Sequence, residues 1–277
     1  MLLSHSSANL LRSCQQKFYF YKKDIPRDAD YEENMEALDV GSSFHYVLEH
    51  CGYEASNIST HLKEAKKMFN LNPHNIALVH AMVLYYIKFH KKTKMITVAL
   101  EKGIQNDFII GYIDVIEKDI DGNWYIVDLK TTSYVNEFLK VKIQRDPQLL
   151  IYASFAKELA KYFDLDIKKF QGCHYRAVFK PKYVQGRNEK YGDYVKRLMK
   201  TVKLTQIFVP YNEKIIAETL AEHKRLEQLG NQIVEDKITP AKNFAACFDF
   251  YKPCQYISKC YGKTYTDMEG MVSQDTY

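Results

Sequence analysis

Phe108-Ile109-Ile110-Gly111-Tyr112-Ile113-Asp114-Val115-Ile116, the pair Asp121-Gly122, and Trp124-Tyr125-Ile126-Val127-Asp128-Leu129-Lys130 decide how this chain folds. Both long runs are rich in β-branched and aromatic residues, as strands are, and Asp-Gly between them signals a hairpin turn. The first run is apolar on both faces and reads as a strand buried on both, where an ionised carboxylate at Asp114 is costly unless something compensates it. In the second, alternation puts Asp128 and Lys130 on one face. Asp114 and Asp128 each stand seven residues from Asp121. A hairpin symmetric about that turn sets them opposite each other, with Cβ atoms about 4.5–5.5 Å apart, where like charges repel. A divalent cation turns the conflict into a binding site. Hard oxygen ligands suit magnesium or manganese, which activate water and neutralise charge developing on a phosphate, and Lys130 is placed to orient that water or stabilise the transition state. Taken singly, Asp114 reads as a solvated strand end and Lys130 as a surface lysine; their combination in this register favours a site.

Upstream of the hairpin the pattern is helical. Ser7 to Tyr21 reads as one helix, broken afterwards by Pro26 and the acidic stretch Asp28 to Glu33. Val40, Phe44, Val47, Leu48 and Cys51 recur at helical spacing in a helix from about Asp39 to Cys51. His61 to Phe69 and Pro73 to His90 supply two more, and Thr97 to Glu101 reads as a strand. Downstream, Asp146-Pro147 is an N-cap followed by proline at the first helical position, opening a helix through Leu149, Tyr152, Phe155 and Leu159. Strands near Cys173 to Phe179 and Thr205 to Val209 and a long helix from about Glu213 to Glu235 complete the pattern. The order implies an α/β fold with a mixed central sheet flanked by helices.

Gly111-Tyr112-Ile113-Asp114, then Val127-Asp128-Leu129-Lys130-Thr131-Thr132, then Gln148-Leu149-Leu150-Ile151-Tyr152 resembles, in that order, the RecB-type branch of the PD-(D/E)XK nuclease superfamily. The resemblance implies that Asp114 and Asp128 bind metal, that Lys130 is catalytic, and that Gln148 and Tyr152, one helical turn apart, contact DNA and brace the site. The branch carries an upstream G-x-x-x-H, here Gly41-Ser42-Ser43-Phe44-His45, and the resemblance implies that His45 is a third ligand, whose imidazole would help the site accept manganese. Glu49 shares the face of His45 and is placed to support it. Glu101 matches an acidic position that often precedes the G-x-x-D strand. The implied fold is the restriction-endonuclease-like core with a helical insertion.

The six cysteines, in a chain read as having no secretory signal, are expected to be reduced. Cys14 near one end and Cys247, Cys254 and Cys260 near the other resemble the iron–sulfur nucleases of the same branch, among them the AddB subunit, the CRISPR adaptation nucleases and related phage exonucleases. The resemblance implies a [4Fe–4S] cluster that clips the two ends together; the gap between Cys247 and Cys254 is six residues where the family usually has two. A structural zinc held by the same thiolates is the alternative. Cys51 and Cys173 read as buried hydrophobes.

At 277 residues and 46% hydrophobic content the chain is expected to form a single nuclease domain. Its parts are a mainly helical stretch 1–95, a catalytic sheet core 96–210, a helix with the cysteine cluster 211–260 and a polar tail 261–277. A net charge of +5 is too mild to argue for nucleic acid. Distribution says more: Lys180, Lys182, Arg187, Lys190, Lys196 and Arg197 crowd one stretch, interleaved with Tyr183, Tyr191 and Tyr194, and suit phosphate contacts with base stacking as well as they suit a solvated loop. No apolar run reaches the length of a membrane span, so the protein is expected to be cytoplasmic. The expected activity is magnesium- or manganese-dependent hydrolysis of DNA, as an exonuclease on single-stranded ends with 5′-to-3′ polarity favoured by the resemblance. A structure-selective endonuclease and a DNA-binding module with an unused site are the alternatives. Recombination, replication or CRISPR-adaptation proteins are the partners such a protein would meet.

Overall fold

Helical and strand periods separate along the chain much as the sequence suggests. The computed structural model describes every residue except 30, 32–34, 135–137, 252 and 263–277; most of the tail read from the sequence lies outside the described residues. In chain order the main elements are α1 (His5–Ser13), α2 (Gln15–Lys22), α3 (Glu36–Cys51), α4 (Ile58–Met68), α5 (Pro73–Thr93), β1 (Ile96–Gln105), β2 (Ile110–Lys118) and β3 (Trp124–Thr132). They are followed by α6 (Phe138–Ile143), α7 (Pro147–Ser154), α8 (Ala156–Tyr162), β4 (Phe170–Phe179), α9 (Tyr191–Thr201), β5 (Leu204–Pro210), α10 (Glu213–Val234) and α11 (Ile257–Tyr261). The described residues group into two compact units, one within residues 1–33, 105–111 and 218–262, the other within residues 34–104 and 112–217.

The larger unit is built on a five-stranded sheet in the order β1-β2-β3-β4-β5. It is mixed: β2 and β3 are antiparallel, β3 and β4 parallel, and β4 and β5 antiparallel. The turn between β2 and β3 is made as Asp-Gly demands, with Gly122 at φ 79° and the Asp119 carboxylate accepting from the backbone N–H groups of Asp121 and Asn123. Pairing runs from Lys118 with Trp124 to Val115 with Val127, a register centred on Asp121. One face of the sheet, carrying Val115, Val127, Leu129 and Val178, packs in a single apolar core with residues of α3, α4, α5 and α9. Burial of that apolar surface is the main driving force for the unit.

Several expectations need correction. The strand Phe108 to Ile116 is not buried on both faces: it begins at Ile110, and Ile110 and Tyr112 are exposed, Tyr112 at 63%. Only from Val115 to Glu117 are consecutive residues buried. The helix opened by Asp146 does cap as expected, its carboxylate accepting from the Gln148 N–H. It stops at Ser154, and Phe155 at φ −85°, ψ 5° separates it from α8. The basic stretch is irregular from Lys180 to Lys190 and continues as helix α9, where Tyr194 is fully buried, its hydroxyl donating to the Tyr183 carbonyl at 2.6 Å. It is core, and no base can stack on it.

The smaller unit also departs from the single helix read over Ser7 to Tyr21. Cys14 adopts an extended conformation, φ −159° and ψ 116°, and divides that stretch into α1 and α2. Leu3, Ala8, Leu11, Phe18 and Ile233 form its apolar core. Among the described residues no helix is long and apolar enough to cross a membrane.

Candidate active site

The pairing of β2 with β3 ends at Val115 and Val127, one step short of Asp114 and Asp128. There the ladder opens: the Leu129 N–H donates at 2.6 Å to the Asp114 carboxylate instead of to a strand carbonyl. Asp128 is 1% exposed, and its Oδ1 accepts from Lys130 Nζ at 2.8 Å. Burial pushes the Asp128 carboxyl up to about 7, with the charge of Asp114 adding and Lys130 opposing. Burial likewise raises Asp114, against the pull of His45 and Lys130. For Lys130, burial works against the charge, yet Asp128 and Asp114 more than offset it and hold the ammonium firmly protonated.

Helix α3 brings His45 to this point. Its apolar residues Val40, Phe44, Val47, Leu48 and Cys51 are buried, and His45 stands beside that seam. Gly41 lets the helix approach the sheet, since a Cβ there would lie 3.2 Å from Thr131 Oγ1. His45 Nδ1 sits 3.5 Å from Asp114 Oδ1 and 3.6 Å from Glu101 Oε1. Burial disfavours the imidazolium, but those two carboxylates outweigh it and raise its pKa.

Glu101 is the residue whose role the sequence left open. It stands in β1 at φ 44°, a left-handed conformation that costs a non-glycine residue about 1–2 kcal/mol. That turn of the backbone is where its carboxylate joins His45 and Asp114. One ligand atom from each of His45, Glu101 and Asp114 lies within 4.8 Å of the other two. Two carboxylates and an imidazole make a mixed oxygen and nitrogen donor set that fits magnesium or manganese. Asp128 stands outside this trio, tied to Lys130. Glu49 lines the same small cavity as His45, Glu101 and Asp114. The only sign of Glu101 in the sequence was its acidic character upstream of Gly111; the positive φ that aims it leaves no trace there.

Gln148 and Tyr152 fall on α7 as their spacing requires, with Gln148 Nε2 donating to the Tyr152 hydroxyl at 2.6 Å. Burial raises the Tyr152 pKa, and the charges of Asp128, Asp114 and Lys130 all act on it, which puts the pair beside the carboxylates. Among the basic residues, Lys182, Arg187, Lys190 and Lys196 are exposed. Lys180 is half-buried, its ammonium donating to the Ala37 carbonyl at 3.3 Å. Arg197 is already engaged, donating to both carboxylate oxygens of Glu189 at 2.8 and 2.7 Å.

The sequence model of the PD-(D/E)XK nuclease superfamily matches residues 2–261. The chain belongs to the PD-(D/E)XK nuclease superfamily. Nucleases of this superfamily work with divalent metal ions, as the trio of His45, Glu101 and Asp114 accommodates. Among solved structures, this nuclease resembles a candidate exonuclease of Eubacterium rectale at 12% identity and a TM-score of 0.52, over 95% of this chain and 94% of that one. A phage-related exonuclease of Haemophilus somnus matches at 11% identity and a TM-score of 0.33, over 71% of this chain and 95% of that one. No curated protein sequence matches the nuclease significantly.

The smaller unit gathers Cys14, Cys247, Cys254 and Cys260 around one small cavity, with Lys17 and Lys242 at its wall. Three hydrogen bonds fasten the two ends of the chain there. The Gln16 N–H donates to the Ala241 carbonyl at 3.1 Å, the Ala241 N–H to Gln15 Oε1 at 3.0 Å, and Asn243 Nδ2 to the Ser13 carbonyl at 2.8 Å. The six-residue gap closes on itself, the Cys254 N–H donating to the Cys247 carbonyl at 2.7 Å. Asp28, read from sequence as part of a helix-breaking acidic stretch, is buried and accepts from the Ser258 N–H at 2.9 Å, holding the start of α11. Burial pushes the Cys260 thiol up to about 11, with Cys254, Cys14 and Cys247 adding. Cys51 and Cys173 are buried in the larger unit.

Proposed function

We propose that the protein is a metal-dependent DNA nuclease acting as an exonuclease on single-stranded ends. The observation that carries this reading is the meeting of His45, Glu101 and Asp114 beside the Asp128–Lys130 pair and the Gln148–Tyr152 pair. His45, Glu101 and Asp114 would hold a divalent ion, which would supply Lewis acidity toward the phosphate and activate water. The remaining work falls to side chains. Asp128 holds Lys130, whose ammonium is placed to meet the negative charge that grows on a phosphate in the transition state. Gln148 and Tyr152 fix each other and offer hydrogen bonds to a strand. Action at ends is favoured by the shared fold with a protein described as a candidate exonuclease, and 5′-to-3′ polarity only by analogy with the family branch the motifs resemble.

In the same reading Cys14, Cys247, Cys254 and Cys260 hold a structural [4Fe–4S] cluster. Four thiolates are the right donors. All four line one small cavity, as a group shared between them requires.

Labelled single- and double-stranded DNA incubated with magnesium or manganese tests the activity, beside Asp128→Ala and Lys130→Ala. Cleavage by the wild type and its loss by a factor of about 10² or more in each variant is expected. Closed circular single strands should resist. Cutting of circles would replace the exonuclease with an endonuclease, and no cleavage of any substrate by folded, metal-loaded protein would leave a binding module.

A further inference from the structure

Helices α5 and α9 enclose a crevice of about 490 Å³, within the range of ligand pockets. Its rim carries Lys88 and Lys92 from α5 and Lys196 and Lys200 from α9. Each pair is spaced four residues apart, on one helical face, where like charges repel. All four are exposed, and none of their ammonium groups makes an ion pair or hydrogen bond with another described residue. Neither helix supplies a counter-charge near them: α5 has no acidic residue, and α9 has only Asp193 in its first turn. The fold thus holds two like-charged pairs across a cleft, which an anionic ligand would relieve.

The floor is apolar and in part aromatic. Tyr85, Phe89 and Met199 line it, each half-buried. The Arg176 guanidinium lies 5.4 Å from the centre of the Phe89 ring and backs it. Flat rings beneath a ring of ammonium groups match a ligand that carries both a phosphate and a base. None of His45, Glu101, Asp114, Asp128, Lys130, Gln148 or Tyr152 lines the crevice.

We propose that the crevice between α5 and α9 is a second nucleic-acid site, in which a phosphate and base of a single strand are held apart from the catalytic carboxylates. Lysines 88, 92, 196 and 200 take the phosphates, and the Tyr85, Phe89 and Met199 floor takes the base. The proposal rests on single-stranded DNA being the substrate. Its consequence is that long strands gain affinity from a contact that a short substrate cannot reach.

The test uses the full chain and a fluorescein-labelled twenty-nucleotide oligothymidylate, with binding read by anisotropy in EDTA so that nothing is cut. The double variant Lys88→Gln, Lys200→Gln should bind on the order of tenfold more weakly at about 0.1 M salt, and its log–log salt slope should fall by about 1.4, or 0.7 for each phosphate contact on a single strand. Lys63→Gln, Lys67→Gln, which removes two exposed charges from α4 outside the crevice, should leave both values near wild type. Hydrolysis of the p-nitrophenyl ester of thymidine 5′-monophosphate in manganese should be the same in all three proteins. Wild-type affinity in the first variant, equal weakening in both variants, or no binding by the wild type overturns the proposal. Wild-type binding with the variant pattern intact but no hydrolysis of strand or ester supports the crevice and sinks the nuclease reading alone.

Discussion

Glu101 stands at φ 44° in a strand, and its carboxylate is one of three groups that meet at the candidate metal site. In ordinary strands glycine is less stable than alanine by roughly 0.5–1 kcal/mol. At a left-handed position the order inverts, because alanine pays for its Cβ and glycine does not. Glu101→Gly should therefore be more stable than Glu101→Ala by about 1 kcal/mol in urea unfolding, while both lose manganese affinity in calorimetric titration. If alanine proves the more stable, the strain at this position is not real. Gln in place of Glu101 keeps the backbone and the shape, and should weaken manganese binding with little change in stability. Asp114 and Asp128 were legible in the sequence because strand period and turn symmetry are properties of spacing alone, and the observed register is centred where the turn residues put it. Glu101 was not, because the backbone angle that aims it is a tertiary outcome.

Between elements, the same logic explains a buried charge that no sequence pattern marks. Glu117 on β2 and Arg176 on β4 are almost fully buried on the core face of the sheet, and they meet through two hydrogen bonds, one at 2.9 Å. Arg176 also donates to the Tyr86 hydroxyl of α5 at 3.0 Å and to Gln206 Oε1 of β5 at 2.8 Å. Read from the chain, both are polar interruptions of apolar strands; only the sheet order, which leaves β3 alone between β2 and β4, brings them together. Removing one partner strands a buried charge, so Arg176→Leu should cost about 3–5 kcal/mol in denaturant unfolding, whereas Glu117→Met with Arg176→Leu should recover most of that loss. Burial pushes the Glu117 carboxyl up, but His174 and Arg176 outweigh it and hold it below its ordinary value. A depressed native pKa contributes stability that is present above the unfolded value of about 4.3 and is lost as pH falls through the native one. Acid titration of unfolding should show this loss in the wild type and a smaller one in Glu117→Gln; identical curves would mean the pair does not set the acid limit. Helix boundaries were less legible than strands for a similar reason: Cys14 and Phe155 break helices whose periodicity runs on without interruption.

Across the whole chain, the two ends meet at residues that local patterns cannot pair. Cys14 and Cys247 lie more than two hundred residues apart, and the contacts that join their segments run between residues 13–16 and 241–243 through backbone and side chains. The pull of Cys14 out of helical geometry makes sense in this light, since an extended residue between α1 and α2 sets its thiol among the other three. The unit that holds them has a small apolar core, Leu3, Ala8, Leu11, Phe18 and Ile233, with Cys247 and Ile257 in a second, smaller cluster. A group bound by the four thiolates would add to that packing bonds formed only in the folded state, because its ligands are not assembled in the unfolded chain. Anaerobically purified protein should be brown with broad visible absorbance, carrying iron and sulfide in equal amounts. Cys14→Ser and Cys254→Ser should each lose the colour, and limited proteolysis should then open residues 1–33 and 218–262 before it opens the sheet of the larger unit. A colourless wild type with one zinc per chain would replace the cluster by a zinc staple and preserve the proteolysis result. Serine variants that keep both colour and resistance would show that the four thiols hold nothing and that the hydrogen bonds between the ends suffice.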